Sequence, residues 1–213
     1  AIMIMTLYLS HGPSVRTTVA LVGTLLSLAL TAVLGAIFTQ VGRFTGLADE
    51  NASFLGAVAS DLDFRGLLLA GLVIGALGVL DDVTITQTAA VWEVTAADPT
   101  APRRRVFAAG MRVGRDHVSS TVNTLVLAYA GSALPLLLLF QVSSSRLGDV
   151  LTSEAVATEI MRALVGGLGI VAAVPLTTAL AALVVAGHHP RAAEEAAPPD
   201  PGGPARHARR ASG

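Results

Sequence analysis

Two neighbouring carboxylates, Asp81 and Asp82, follow a run in which Gly66 to Leu80 holds only Gly, Leu, Ala, Val and Ile. An acid inside a membrane span costs roughly 3 kcal/mol on insertion scales and faces the protein interior or water, where it can hold a proton or a cation. Adjacent residues on a helix point about 100° apart, so only one of the pair can face a given lumen. Thr84, Thr86, Gln87, Thr88, Trp92 and Glu93 come next, an amphipathic continuation with Trp92 suited to the headgroup level. A second polar cluster is Arg115-Asp116-His117-Val-Ser-Ser-Thr121-Val-Asn123-Thr124. His117, Thr121 and Thr124 share a helical face. Asn123 lies inside the membrane, where its amide needs a partner, and His117 beside Asp116 is placed to titrate near neutral pH. The candidate polar site is therefore Asp81, Asp82, Gln87, His117, Thr121 and Asn123, with an aspartate expected within reach of His117, Thr121 or Asn123. The plainer alternative makes Asp81 and Asp82 caps of the next helix, with His117 solvated at a helix start.

The elements that position these residues follow from composition. Of 213 residues, 53% are hydrophobic and only 14% charged, against about 25% charged in a soluble domain. That excludes a disordered chain, a coiled coil and an ordinary cytosolic enzyme. The absence of Cys removes disulfides, thiol nucleophiles and Cys-held metals, and no spacing suits a metal or calls for a cofactor. A net charge of −1 argues against a nucleic-acid partner. Uncharged blocks run over Thr17–Val41, Gly66–Leu80, Ser119–Ser145 and Ala163–Gly187, and about 20 residues cross a bilayer. The prediction is an all-α polytopic membrane protein with four full spans. Residues 1–9 read as the end of a truncated leading helix, 10–187 as the four-span domain, and 188–213 as a disordered tail.

The arginines alternate between loops. Arg16 stands alone in 10–16, whereas 42–65 holds two Arg against Asp49, Glu50, Asp61 and Asp63. Arg103, Arg104, Arg105, Arg112 and Arg115 fall in 95–118; Arg146 and Arg162 face three acids in 142–162; the tail carries Arg191, Arg206, Arg209 and Arg210. The positive-inside rule then places 10–16, 95–118 and the C-terminus in the cytoplasm of a cell-membrane protein, with 42–65 and 142–162 outside. Within 42–65, Phe54, Leu55 and Val58 at helical spacing predict a short amphipathic helix at the interface. Gly71, Gly75 and Gly78 form a close-packing face, as do Gly166 and Gly167. Pro135 and Pro175 fall within spans, where proline frees a carbonyl and bends a helix.

Gly75-Ala-Leu-Gly-Val-Leu-Asp-Asp-Val-Thr-Ile-Thr-Gln87 with Trp92-Glu93, and Arg112-Val-Gly-Arg-Asp-His117-Val-Ser-Ser-Thr-Val-Asn123-Thr-Leu-Val-Leu-Ala-Tyr-Ala-Gly131, resemble the motifs of the YibE/F family of bacterial membrane proteins. Leu7-Tyr-Leu-Ser-His-Gly12 and Arg16-Thr-Thr-Val-Ala20 fit the same family, and the resemblance covers residues 1 to about 187. It implies a multi-spanning protein with further helices upstream and assigns no role to the aspartates. A transporter or transport-complex subunit is the leading expectation, with the bilayer, a second copy or a paired membrane subunit as partners. A scaffold with structural aspartates is the alternative. No Gly-x-Ser-x-Gly or His-Glu-x-x-His supports an enzyme.

Overall fold

The computed structural model describes residues 2–48, 50–59, 61–142 and 147–195. Among them the regular structure is all helical: α1 (Ile2–His11), α2 (Val15–Val41), α3 (Glu50–Val58), α4 (Phe64–Ala97), α5 (Arg103–Ser132), α6 (Leu134–Val142), α7 (Leu147–Leu151) and α8 (Glu154–Glu195). Ser14 caps α2, its Oγ accepting the Thr17 amide at 3.1 Å, and Asp63 caps α4 by accepting the Gly66 amide at 3.0 Å. Such caps satisfy backbone donors that have no partner within the helix.

Among the described residues three helices are long and apolar enough to cross a membrane, α2, α4 and the Glu154–Val185 part of α8; α5 and α6 make a fourth when read as one span bent by 45°. The bend falls at Ala133, just ahead of Pro135, whose ring and missing amide hinder continuation of the helix. α4 and α8 each pack against both α2 and α5 and against each other. α2 runs antiparallel to its two neighbours: Gly23 sits on Thr177 and Gly169 on Thr31, while Gly35 sits on Leu69 and Leu72.

The packing is that of a membrane protein. α2 buries Thr17, Gly23, Thr24, Ser27, Thr31, Gly35 and Thr39 and exposes Leu25, Leu26, Leu30, Val33 and Ile37. Small and hydroxyl-bearing residues let helices approach, and large apolar ones face outward, because lipid tails offer no hydrophobic gain for burying leucine. A core cluster of Ala76, Leu80, Val83, Leu125, Ile170, Ala173 and Val174 joins α4, α5 and α8 at mid-bundle.

Several expected boundaries are corrected. The span expected over Gly66–Leu80 is the first half of α4, which continues without a break to Ala97. Asp81 and Asp82 therefore lie mid-helix, and the cap role belongs to Asp63. Residues 103–118, expected in a loop, form the first half of α5 against α4 and α8. There Gly110 packs on Val91 and Thr178, and Gly114 on Val174 and Gln87. The helix α8 begins at Glu154 and reaches Glu195, into the segments expected as loop and tail; residues 196–213 of that tail lie outside the described residues.

Candidate functional site

The Asp81 carboxylate is half-buried and turned to α2, where the Thr24 hydroxyl reaches its Oδ1 at 3.5 Å. Thr24 Oγ1 also lies 2.6 Å from Thr84 Oγ1 and 3.0 Å from the Ala20 carbonyl. Thr84 lies 3.1 Å from the Asp81 carbonyl. Thr24 stands nine residues beyond Val15, about 13 Å along the helix at ~1.5 Å per residue. The pair is thus well inside the span. One end of the α2–α4 contact is marked by Arg16 and Glu93, 4.0 Å apart, and the other by Gly35 on Leu72.

Around this contact the interior is lined with hydroxyls. Thr24, Ser27 and Thr31 of α2, Thr84 and Thr88 of α4, and Thr177 and Thr178 of α8 are all fully buried. Thr31 and Thr178 donate back to Ser27 and Val174 carbonyls at 2.8 and 2.6 Å. Ser27 Oγ, Thr88 Oγ1 and Thr177 Oγ1 have no hydrogen-bond partner among the described residues. Oxygen left without a partner in a dry interior is costly. The Asp81 carboxylate with Thr24 and Thr84 beside it presents oxygen atoms only, the ligand type that hard cations select.

A cavity of about 350 Å³ lies toward the arginine end of this contact. It is lined by Leu7 and His11 of α1, the cap residue Ser14, Arg16, Thr17 and Ala20 of α2, and Ile85 of α4. Ala20 and Ile85 stand one helical turn from Thr24 and Asp81, so the cavity floor adjoins the carboxylate. At the opposite end a larger cavity of about 820 Å³ has Ser132, Thr158, Glu159 and Arg162 on its wall. Arg162 and Glu159 pair there at 3.0 Å. Glu154 braces that end by accepting from the Thr45 amide at 2.6 Å, the Thr45 hydroxyl at 2.9 Å and the Gly46 amide at 3.2 Å. Gly46 has φ +79°, and a Cβ there would strike the Phe64 carbonyl. By their positions along α4 and α8, the two cavities are separated by the core around Leu80, Val83, Ile170 and Val174.

The remaining expected site residues are placed otherwise. Gln87 is buried and donates to the Gly110 carbonyl at 2.8 Å and to Thr178 Oγ1 at 2.7 Å, tying α4 to α5 and α8. The Thr121 hydroxyl donates to the His117 carbonyl at 2.9 Å. His117 Nε2 is shut from solvent with no partner among the described residues. Asp82 and Asn123 are exposed on the outside of the bundle. No hydrogen bond or ion pair among the described residues joins either aspartate to His117, Thr121 or Asn123; the side-chain hydrogen bond of Asp81 goes instead to Thr24. The reason is rotational. The face of α4 that meets α5 carries Gln87 and Val91, and Asp81 looks toward α2.

Among the glycines, Gly166 and Gly167 lie against Leu125 and Val122 of α5, a Cβ falling 3.1 and 3.8 Å away. Gly71 and Gly78 would meet nothing within 4 Å, and Gly75 only the Tyr129 hydroxyl at 3.6 Å. Among the described residues that face meets nothing else so close. The residues that sequence reasoning missed are Thr24, Thr84 and the hydroxyls around them. Their signal was the stripe Gly23, Thr24, Ser27, Thr31, Gly35, small or hydroxyl-bearing at helical spacing in an otherwise leucine-rich span.

The family model for YibE/F-like proteins matches residues 1–187. The chain belongs to the YibE/F-like family. The match takes in every membrane-length helix, Asp81, Thr24 and both cavities. No curated protein and no solved structure matches the chain. The YibE/F-like chain is thus an integral membrane protein by family and by its apolar helices.

Proposed function

We propose that this YibE/F-like protein is a transporter, or the membrane subunit of a transport complex, in which Asp81 is the group that binds and releases a proton or a cation. One observation carries the reading. Asp81 stands mid-helix inside the span, bonded to Thr24 in a nest of buried hydroxyls, one turn from a cavity open at the arginine end. A carboxylate placed there is expensive unless it is used, and the cap role that would make it structural belongs to Asp63. Substrate exchange on the far side would use the cavity of Arg162 and Glu159, with the core between the two cavities acting as the barrier. The chain acts on no covalent bond in this reading and needs no cofactor. It sits in the cell membrane with the arginine end and the C-terminus in the cytoplasm, as the alternation of basic segments implies.

The test is ion flux through the full-length protein in proteoliposomes carrying an internal pH dye. Asp81→Asn should abolish the protein-dependent proton leak or sodium-driven pH change while insertion and folding persist. Wild-type flux in Asp81→Asn would overturn the reading.

A further inference from the structure

One flank of the bundle does not suit lipid. On α5, Gly110 packs on Thr178 and Gly114 on Val174, which sets Arg112 level with the middle of the uncharged run 163–187 of α8. Arg112, Arg115, Asp116 and Asn123 are nevertheless exposed. Neither arginine, nor Asp82, nor Asp116 has an ion-pair partner among the described residues. On either side of that depth α8 exposes Val171 and Leu183, and near it α2 exposes Leu25 and Leu26. A guanidinium facing acyl chains at that level costs several kcal/mol or more, so such residues face protein or water. Next to it, α4 turns Gly71, Gly75, Gly78, Asp82 and Thr86 outward, at intervals of three or four residues that form one stripe. Its glycines leave room for a backbone to approach closely.

We propose that the α4–α5 flank is the contact face of a second copy of this chain, related by a two-fold axis along the membrane normal. The charge distribution selects this occupant. The α4 edge exposes Asp82, which has no ion-pair partner among the described residues; the α5 edge exposes Arg112 and Arg115 to one acid, Asp116. A two-fold axis along the normal preserves depth and sets α4 of each copy against α5 of the other, an isologous and self-complementary contact. The register agrees. Gly75 lies beside Tyr129, and Gln87 beside Gly110 and Gly114, so Asp82 is level with about residue 119 of α5. Arg115 is then one helical turn, about 5 Å, from the depth of Asp82, within reach of a long guanidinium side chain. Each Asp82 is neutralised by Arg115 of the other copy, and Gly78 faces the other copy near Asn123. This inference does not depend on transport.

The test uses the full-length protein in native membranes, with two differently tagged copies and no native Cys in this segment. Gly78→Cys on one copy and Asn123→Cys on the other should crosslink with a short bifunctional thiol reagent. Leu26→Cys with Leu168→Cys, on the lipid side, should not. Asp82→Arg or Arg115→Asp alone should lower the crosslinked fraction about tenfold or more through like-charge repulsion, and the two together should restore it. A monomer by photobleaching counts in lipid nanodiscs would overturn the proposal. So would reaction of the Gly78→Cys thiol with a lipid-phase reagent, which makes the flank lipid-facing. A Gly78→Cys thiol protected from that reagent yet never crosslinked between copies would also overturn it, since another segment then covers the face.

Discussion

The Thr24 hydroxyl stands 3.5 Å from the Asp81 carboxylate, across 57 residues of sequence and between two antiparallel spans. That contact joins a half-buried acid of the mid-bundle to the hydroxyl-lined interior. It also distinguishes two aspartates that are neighbours in sequence. Asp82, turned about 100° away, is exposed on the outside of the bundle. Asp81, and not Asp82, therefore carries the transport proposal.

Asp81→Asn and Asp82→Asn should differ in kind. Asn keeps the shape and accepts the Thr24 hydrogen bond through its carbonyl, so folding is retained in both. Only the Asp81 variant loses the carboxylate that stands against Thr24 inside the span, the group the transport proposal uses. In the proteoliposome assay, Asp81→Asn should drop to the empty-vesicle rate and Asp82→Asn should keep most of the flux. Equal loss in both, with normal expression, would remove the distinction.

Thr24 should tolerate Ser and resist Val. Valine has nearly the same volume but no hydroxyl. It would leave Thr84 Oγ1, now 2.6 Å from Thr24 Oγ1, short of a buried partner, at about 1–3 kcal/mol. Thermal unfolding in detergent should show Thr24→Val clearly lowered and Thr24→Ser close to wild type. Flux should follow the same order if the hydroxyl orients the carboxylate.

The first and last spans were readable from their uncharged runs. Thr17–Val41 became Val15–Val41, and the block from Ala163 lies within α8. The second half of α4 was readable as an amphipathic continuation, but not as a buried part of the bundle. Hydropathy falls at Asp81, so the span looks finished, yet Val83, Thr84, Gln87, Thr88, Val91 and Thr95 continue its buried face. One-dimensional hydropathy averages around the helix and misses a face that packs through hydroxyls. The same blindness hid the arginine half of α5, whose inner face is Val106, Gly110 and Gly114. Asp81 stood out because an acid after fifteen apolar residues is rare. Thr24 did not, because a threonine in a membrane helix is common and usually bonds its own backbone, as Thr24 also does to Ala20.

Gln87 should be a structural residue and not a transport residue. Its amide joins three helices through Gly110 and Thr178. Gln87→Leu fills the space but leaves a buried carbonyl and hydroxyl without that donor, about 1–3 kcal/mol each. The variant should unfold at lower temperature. Below that temperature its specific flux per folded molecule should match wild type. A specific loss of flux with unchanged stability would make Gln87 part of the pathway.

The glycines should separate into two classes when changed to alanine. At Gly114 a Cβ would collide with Val174 and Gln87, and α5 would have to move away from α4 and α8. Overpacking of this sort costs about 1–3 kcal/mol. At Gly71 and Gly78 a Cβ meets nothing within 4 Å, and alanine gains up to about 1 kcal/mol of helix propensity. In a detergent that holds the protein monomeric, Gly114→Ala should lower the unfolding temperature, while Gly71→Ala and Gly78→Ala should leave it unchanged or raised. A marked loss at Gly78 in the monomer would mean that its face is already packed within the chain, against the open stripe described for α4.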